Sequence, residues 1–361
     1  MSGRKKIILH IGHGKTGSSA IQAALARNQD VLRSAGIFYP DHAASDSARR
    51  GEVTSGNLDV QDWFGRVVEI ARAHEGEDTI LFSNELLFHD FDAFLANHHD
   101  YADEFEFEII LFVREPFEKL NSAYQQAVKR RGFAGDIAEF AQHDGDAAKA
   151  AHLLAALDAD GVAFALFNYS ALRGDTIRAF FEHLGVWGLI RASGRAEVGI
   201  VNRSLTPAEL DFLLHVNRVF GVEFGSVIAD ALVHRLPDLP SGLAPIDPET
   251  RARFYADNAA AVQAINRFLP ESDQLRFDPA VPPAETAGDR RLSDAQVEVI
   301  RSVFPAALTY KDGVVLRDIA MKYESGEALT RADAIALMQY AQKARPHGQI
   351  IAGKLKEWRD A

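Results

Sequence analysis

Short apolar runs, each bounded by polar or turn-forming residues, recur along the first half of the chain. Four of them have strand length: KKIILHI from residue 5, TILF at residues 79–82, FEFEIILFV ending near residue 113, and VAFALFN at residues 162–168. A shorter extended piece, GIFYP, ends at Pro40. These runs are apolar at nearly every position, not at alternate ones, which is typical of strands buried on both faces of a parallel sheet.

Helical periodicity follows each strand-like run. We predict these helices at residues 18–34, 63–73, 117–130 and 170–184, and a loop over the polar stretch at 41–56. Strands that alternate with helices predict an α/β fold, in which helices flank a parallel β-sheet on both faces.

The pattern changes after residue 199. No further strand is indicated, and helices are predicted at residues 207–220, 248–268, 293–304 and 331–345, the last as part of a helical hairpin. Proline and glycine mark residues 236–246 as a linker or long loop. We therefore expect one domain at residues 1–285, with an α/β core (1–199) and a helical completion (200–285). A helical C-terminal extension follows at 286–361.

Composition excludes several functional classes. The chain has 361 residues, a formal net charge of −12 and no cysteine. The charge argues against a protein that coats nucleic acid or an anionic membrane, and the missing thiols exclude disulfides, thiolate zinc sites and a cysteine nucleophile. Because the apolar runs are too short for a signal peptide or a membrane span, we expect a cytoplasmic protein.

The loop GHGKTGSS, between the first strand and the first helix, has the chemistry of an anion site. Free amides and the positive end of the helix dipole meet there, and glycines let the backbone approach a phosphate. The loop differs from the triphosphate-binding template in two ways. Leu9 stands where the first glycine is required. The third strand ends in Arg114, where a metal-binding carboxylate is expected.

Strand, then H-I-G-x-x-K-T-G-S-S, resembles the 5′-phosphosulfate loop of sulfotransferases that use 3′-phosphoadenosine 5′-phosphosulfate (PAPS). That family also binds the 3′-phosphate, through an arginine at a strand end and a serine eight residues later. The stretch IILFVREPFEKLNSAY supplies Arg114 and Ser122 at this spacing. The resemblance covers roughly residues 5 to 280. It implies a P-loop-like sulfotransferase fold and PAPS as the sulfate donor, with no metal.

Two weaker matches add candidate cofactor-binding residues. FNYSALRGDTIRAFFEHLGV resembles a family stretch in which Tyr169 would lie near the adenine, although Ser170 and Ala171 replace its usual acidic residues. VNRSLTPAEL resembles a segment that closes over the nucleotide, where Arg203 could add to the 3′-phosphate site. A packing role for Tyr169 and an ordinary helix-capping role for Ser204 or Thr206 in the second stretch remain open.

The resemblance also implies roles in catalysis. Lys15 would stabilise charge on the bridging and leaving oxygens, and Glu85, just past the second strand, would be the general base. His13 and His89 are the alternatives for the base. The 5′-phosphate would be held by the loop residues Gly14, Lys15, Thr16, Gly17, Ser18 and Ser19.

The sequence thus predicts transfer of a sulfuryl group from PAPS to a hydroxyl or amine of a carbohydrate or small molecule. Two other functions stay open. One is a nucleotide kinase or NTPase with a degenerate phosphate loop, and the other is a non-catalytic nucleotide-binding scaffold. The sequence does not identify the acceptor or the oligomeric state.

Overall fold

A five-stranded parallel sheet forms the centre of the α/β part. The computed structural model describes residues 4–50, 54, 56–172, 174–195, 203–240, 242–276, 291–303, 308–325 and 330–360. The strands are β1 (Lys5–Gly12), β2 (Ile37–Phe38), β3 (Thr79–Ser83), β4 (Phe105–Val113) and β5 (Ala163–Asn168), in the spatial order β2-β3-β1-β4-β5. All pairings between these strands are parallel, which confirms the predicted α/β class.

Eighteen α-helices lie in the described residues. They are α1 (Ser18–Arg27), α2 (Gln29–Ser34), α3 (Ser45–Arg49), α4 (Trp63–Ala73), α5 (Asp92–Asn97), α6 (Pro116–Arg131), α7 (Ile137–Ala141), α8 (Asp146–Ala159), α9 (Tyr169–Leu172), α10 (Thr176–His183), α11 (Trp187–Ala192), α12 (Pro207–Phe220), α13 (Val222–Arg235), α14 (Pro248–Asn266), α15 (Asp294–Val303), α16 (Tyr310–Met321), α17 (Arg331–Ala344) and α18 (Gln349–Asp360). Short 3₁₀ turns occur at Glu85–His89, His98–Tyr101, Glu271–Asp273 and Lys322–Ser325.

Alternate residues of the central strands point into two separate apolar layers. Ile7, Leu9 and Ile11 of β1 pack in one cluster with side chains of α4, α8 and α14. Ile8 of β1 and Phe112 of β4 belong to the other cluster, with side chains of α1, α10 and α11. The sheet is therefore covered on both faces, which explains why its strands read as continuous apolar runs.

The chain divides into two compact units. The first contains Met1–Tyr124, Ile137–Val201 and Pro245–Ala284, and it includes the whole sheet. The second contains Gln125–Asp136, Asn202–Ala244 and Glu285–Ala361. In the second unit, α16, α17 and α18 surround a small apolar cluster that includes Met338 and Trp358. The predicted boundary between residues 285 and 286 lies outside the described residues.

Several helix boundaries differ from the sequence prediction. The helix predicted over 18–34 is two helices, because Asn28 leaves the helical conformation and its side-chain amide donates back to the Ala24 carbonyl at 2.8 Å. The helix predicted over 170–184 is also two, with Gly174 at φ 110° between them. The predicted loop at 41–56 contains α3.

The prediction that the chain lacks a membrane span agrees with the structure as far as it extends. In the described part of the chain, every helix is too short or too polar to cross a bilayer.

Candidate functional site

The loop after β1 is held in a conformation that favours anion binding. Lys15 has φ 71° and Gly17 has φ 83°, so the backbone turns twice through the left-handed region. Successive amides in such a turn form a concave cradle of N–H donors. Gly17 is the N-cap of the ten-residue helix α1, which has no side-chain cap and no acidic residue in its first turn. The positive end of this helix is therefore not neutralised by its own first turn.

A buried hydroxyl in the loop supports a ligand at this place. The Thr16 side chain is fully buried, and its Oγ1 has no hydrogen-bond partner among the described residues. Buried polar groups are normally paired, so an unpaired one at an anion-binding loop is a notable exception. A phosphate oxygen would supply the missing partner.

Glu85 lies directly against this loop. It opens the 3₁₀ turn after β3, whose neighbour in the sheet is β1, and the Asn84 amide donates to the His10 carbonyl at 3.1 Å. The Ser18 hydroxyl donates to Oε2 of Glu85. A Cβ on Gly12 would lie 2.7 Å from the Glu85 Cβ. Contact with Glu85 therefore requires glycine at the end of β1.

We expect Gly12→Ala to destabilise the protein by about 1–3 kcal/mol, since the added methyl group would force the Glu85 segment to move. Urea denaturation measures this loss of unfolding free energy. Gly14→Ala is the matched control, because a Cβ at Gly14 meets no atom within 4 Å. Equal stability of the two variants would contradict this account of the contact between Gly12 and Glu85.

Arg114 joins the second predicted phosphate motif to the first. Its Nη1 donates to the Lys15 carbonyl at 3.0 Å, and its Cζ lies 5.2 Å from the ring centroid of Tyr169. The Tyr169 ring also lies close to the loop, because a Cβ on Gly17 would be 3.1 Å from its Cε2. The structure thus brings Lys15, Arg114 and Tyr169 together at the carboxyl edge of the sheet.

Two residues that the sequence analysis did not assign to the site orient Arg114. Glu118 accepts from Arg114 Nε at 3.3 Å and from the Ser170 hydroxyl at 3.0 Å. Ser170 in turn accepts from the amide of Glu115 at 3.0 Å. Ser170 stands where the resembling family has an acidic residue, and here it tethers the start of α6 to α9. The i, i+4 spacing of Arg114 and Glu118 was the one signal in the sequence that could have indicated their contact.

Glu115 has a structural position at the start of α6. Its carboxylate accepts from the amides of Phe117 at 3.0 Å and Glu118 at 2.7 Å. Burial raises the pKa of Glu115 to about 7, although these amides favour the charged form.

Ser122 and Ser19 lie on helices that border the site. Ser122 is half-buried on the second turn of α6, downstream of Arg114. Ser19 is half-buried in the first turn of α1. Their placement leaves their phosphate-binding roles as predictions.

Arg203 is fully engaged in the second unit. Its guanidinium forms a two-point contact with the Glu209 carboxylate at 2.7 and 2.8 Å, and it also donates to the carbonyls of Leu236, Ser204 and Leu232. These contacts use all five N–H donors of an arginine. The geometry therefore gives Arg203 a structural role and offers no donor for a phosphate.

The alternative base His13 is buried beside a charged cluster. Its side chain is 2% exposed, and neither ring nitrogen has a hydrogen-bond partner among the described residues. Burial, followed by the charge of Lys119, lowers the pKa of His13 to about 4, so the ring is neutral near pH 7. Lys119, itself buried, pairs with Asp144 at 2.5 Å and with Asp146. Sequence reasoning missed this cluster because Lys119 is separated from Asp144 by 25 positions in the sequence.

The second alternative base, His89, ends the 3₁₀ turn that Glu85 begins. It is exposed, and its ring lies 5.2 Å from that of Phe88. Lys149 of α8 donates to the His89 carbonyl at 2.7 Å. Among the described residues, Glu85 is thus the one of the three candidates whose side chain forms a hydrogen bond with the loop after β1 or the start of α1, through Ser18.

Comparison with known proteins does not assign this chain to a family. Scans against protein-family models, curated protein sequences and solved structures each gave no significant match.

Proposed function

We propose that this chain is a PAPS-dependent sulfotransferase. It would transfer a sulfuryl group from PAPS to a hydroxyl or amine of a carbohydrate or small molecule. The fold would then be the P-loop-like sulfotransferase variant of the α/β class.

The observation that carries the proposal is the hydrogen bond between Arg114 and the Lys15 carbonyl. This contact places an arginine, suited to forked binding of phosphate, beside an amide cradle that carries a lysine. PAPS has two phosphate-bearing ends that such a pair can hold at once. We assign the 5′-phosphosulfate to the Lys15 loop and the 3′-phosphate to Arg114, with Ser122 as a further donor.

The proposed reaction is an in-line displacement at sulfur. The acceptor oxygen or nitrogen forms a bond to sulfur, while the bond from sulfur to the bridging oxygen breaks, and adenosine 3′,5′-bisphosphate (PAP) leaves. Lys15 and the loop amides stabilise the negative charge that develops on the bridging oxygen. Glu85 takes the acceptor proton, and the hydrogen bond from Ser18 orients the Glu85 carboxylate for that transfer.

Transfer of labelled sulfate from PAPS to a panel of glycans, lipids and phenols tests the function. The reaction should proceed in excess EDTA, because no step uses a divalent metal. PAP should also raise the melting temperature, since a ligand that binds only the folded state stabilises it. Failure of millimolar PAP to shift the melting temperature would refute the donor assignment.

Arg114→Ala should weaken PAP binding about 10- to 100-fold, because a charge-assisted contact to the 3′-phosphate is lost. Binding of 5′-AMP, which lacks that phosphate, should change much less. Isothermal titration with both nucleotides measures the difference, and Arg359→Ala, at an exposed arginine of α18, is the control. If both nucleotides lost affinity equally, Arg114 would act only by shaping the Lys15 loop.

One observation favours a phosphoryl-transfer alternative. The Ser18 hydroxyl contacts Glu85 at the end of the neighbouring strand, and a hydroxyl with a nearby carboxylate is how triphosphate-binding folds hold Mg²⁺. ATP or GTP hydrolysis that requires Mg²⁺, together with no response to PAP, would favour this reading.

A further inference from the structure

Three potential metal ligands lie together at the amino ends of two strands, at the opposite end of the sheet from the phosphate loop. His98 and His99 belong to the 3₁₀ turn before β4, and Asp160 is the C-cap residue of α8, just before β5. Because β4 and β5 are adjacent parallel strands, their starts lie side by side. The ligand atoms of the three residues lie within 4.8 Å of one another.

The geometry fixes the His98 ring and leaves one nitrogen unused. His98 Nδ1 lies 3.1 Å from the Phe94 carbonyl, which can only accept, so Nδ1 carries the hydrogen. In the neutral ring, Nε2 therefore presents a lone pair. The ring is stacked on Phe94, with centroids 4.7 Å apart. The residue is 4% exposed, and Nε2 is buried with no hydrogen-bond partner among the described residues.

The spacing of the three groups suits a shared ion better than direct hydrogen bonds. Oδ2 of Asp160 lies 3.7 Å from His98 Nε2 and 3.6 Å from His99 Nε2. Both distances are too long for a hydrogen bond. Two ligands of a tetrahedral zinc ion are about 3.3 Å apart, given metal–ligand bonds of about 2.0–2.1 Å. The His98 and His99 ring centroids lie 3.8 Å apart, so the exposed His99 ring would turn away from His98, and the exposed Asp160 side chain would move towards the two nitrogens, when an ion binds.

We propose that His98, His99 and Asp160 bind a divalent transition-metal ion, with Zn²⁺ as the best match. Two imidazoles and one carboxylate form a ligand set typical of Zn²⁺ and unlike the all-oxygen sets of Mg²⁺ and Ca²⁺. The bond from His98 Nδ1 to the Phe94 carbonyl is the outer contact that commonly orients a zinc-binding histidine. Water completes the tetrahedron.

This ion would act on stability and not on sulfuryl transfer. It would clip the start of β4 to the start of the edge strand β5. The phosphate loop lies at the carboxyl ends of the strands, about 26 Å away as measured along the nine-residue strand β4. The proposal is therefore independent of the donor, the acceptor and the base.

Zinc titration of the full-length, tag-free chain tests the site. We expect one Zn²⁺ per chain by calorimetry and by metal analysis after dialysis, and a rise of a few degrees in melting temperature over the EDTA-treated protein at about 100 times the dissociation constant. His99→Gln and Asp160→Asn should each weaken binding at least about 100-fold, since each removes a direct ligand. Both positions are exposed, so both variants should fold.

His215→Gln, at an exposed histidine of α12, is the matched control and should bind zinc like the wild type. In the wild type, Co²⁺ should give the visible bands of a tetrahedral complex, and these bands should disappear in the two ligand variants. The absence of a stoichiometric complex, or zinc binding that survives either substitution, would overturn the three-ligand site.

Discussion

Glu85→Gln should lower the rate of sulfuryl transfer about 10²- to 10⁴-fold, the usual range for loss of a general base. Glutamine has the shape of glutamate and can still accept from Ser18, so the loop should keep its conformation. The affinity for PAP should therefore change little. Single-turnover transfer of labelled sulfate measures the chemical step, and calorimetry with PAP measures binding.

Two further measurements separate a catalytic from a structural role of Glu85. The acidic limb of the pH profile of kcat/KM should be lost in Glu85→Gln, because the group that must be deprotonated is gone. Glu106→Gln, at an exposed position of β4, should leave both rate and profile unchanged. A near-normal rate in Glu85→Gln would transfer the role of base to His13 or His89.

Glu209→Gln should destabilise the protein by about 3 kcal/mol, because it leaves the Arg203 charge buried without its partner. The two side chains are only 5% and 0% exposed. Burial alone would raise the pKa of Glu209, but the hydrogen bonds from Arg203, the Thr206 amide and Gln296, together with the charge of Arg203, outweigh burial and lower that pKa. The pair should therefore stabilise the fold above the ordinary glutamate pKa of about 4.3, and this stabilisation should be lost as the pH falls through the lowered value.

Urea denaturation measures the effect of Glu209→Gln. Asp230→Asn is the matched control, because it breaks the exposed pair with Arg130, whose side chains are 38% and 40% exposed. That change should cost at most about 1 kcal/mol. Equal losses in Glu209→Gln and Asp230→Asn would refute the structural role of Arg203.

Local patterns were sufficient for the sheet. The strand-like runs became β1, β3, β4 and β5, and the extended piece before Pro40 became β2. The helix 63–73 was predicted with its observed bounds. The strands β1, β3 and β4 were predictable because burial on both faces demands an apolar residue at nearly every position. The helix was predictable because its apolar residues repeat with helical spacing. By contrast, α8 was not predicted, although Ala147, Ala150, Leu153 and Leu157 carry a helical apolar stripe.

The sequence by itself determined the parallel α/β architecture and the positions of the two predicted phosphate motifs. Each motif is continuous in the chain, and the carboxyl ends of parallel strands must meet at one edge of the sheet. Folding decided which residues are in contact at that edge. Ser18 and Gly12 lie against Glu85, and the Arg114 guanidinium donates to the Lys15 carbonyl.

Only the tertiary structure decided the role of Arg203 and the meeting of His98 and His99 with Asp160. The partners of Arg203 include carbonyls about 30 residues away, and Asp160 is about 60 residues from the two histidines. No local pattern encodes such contacts. They depend on how separate segments pack, and packing follows from the burial of apolar surface in the whole chain and not from any single motif.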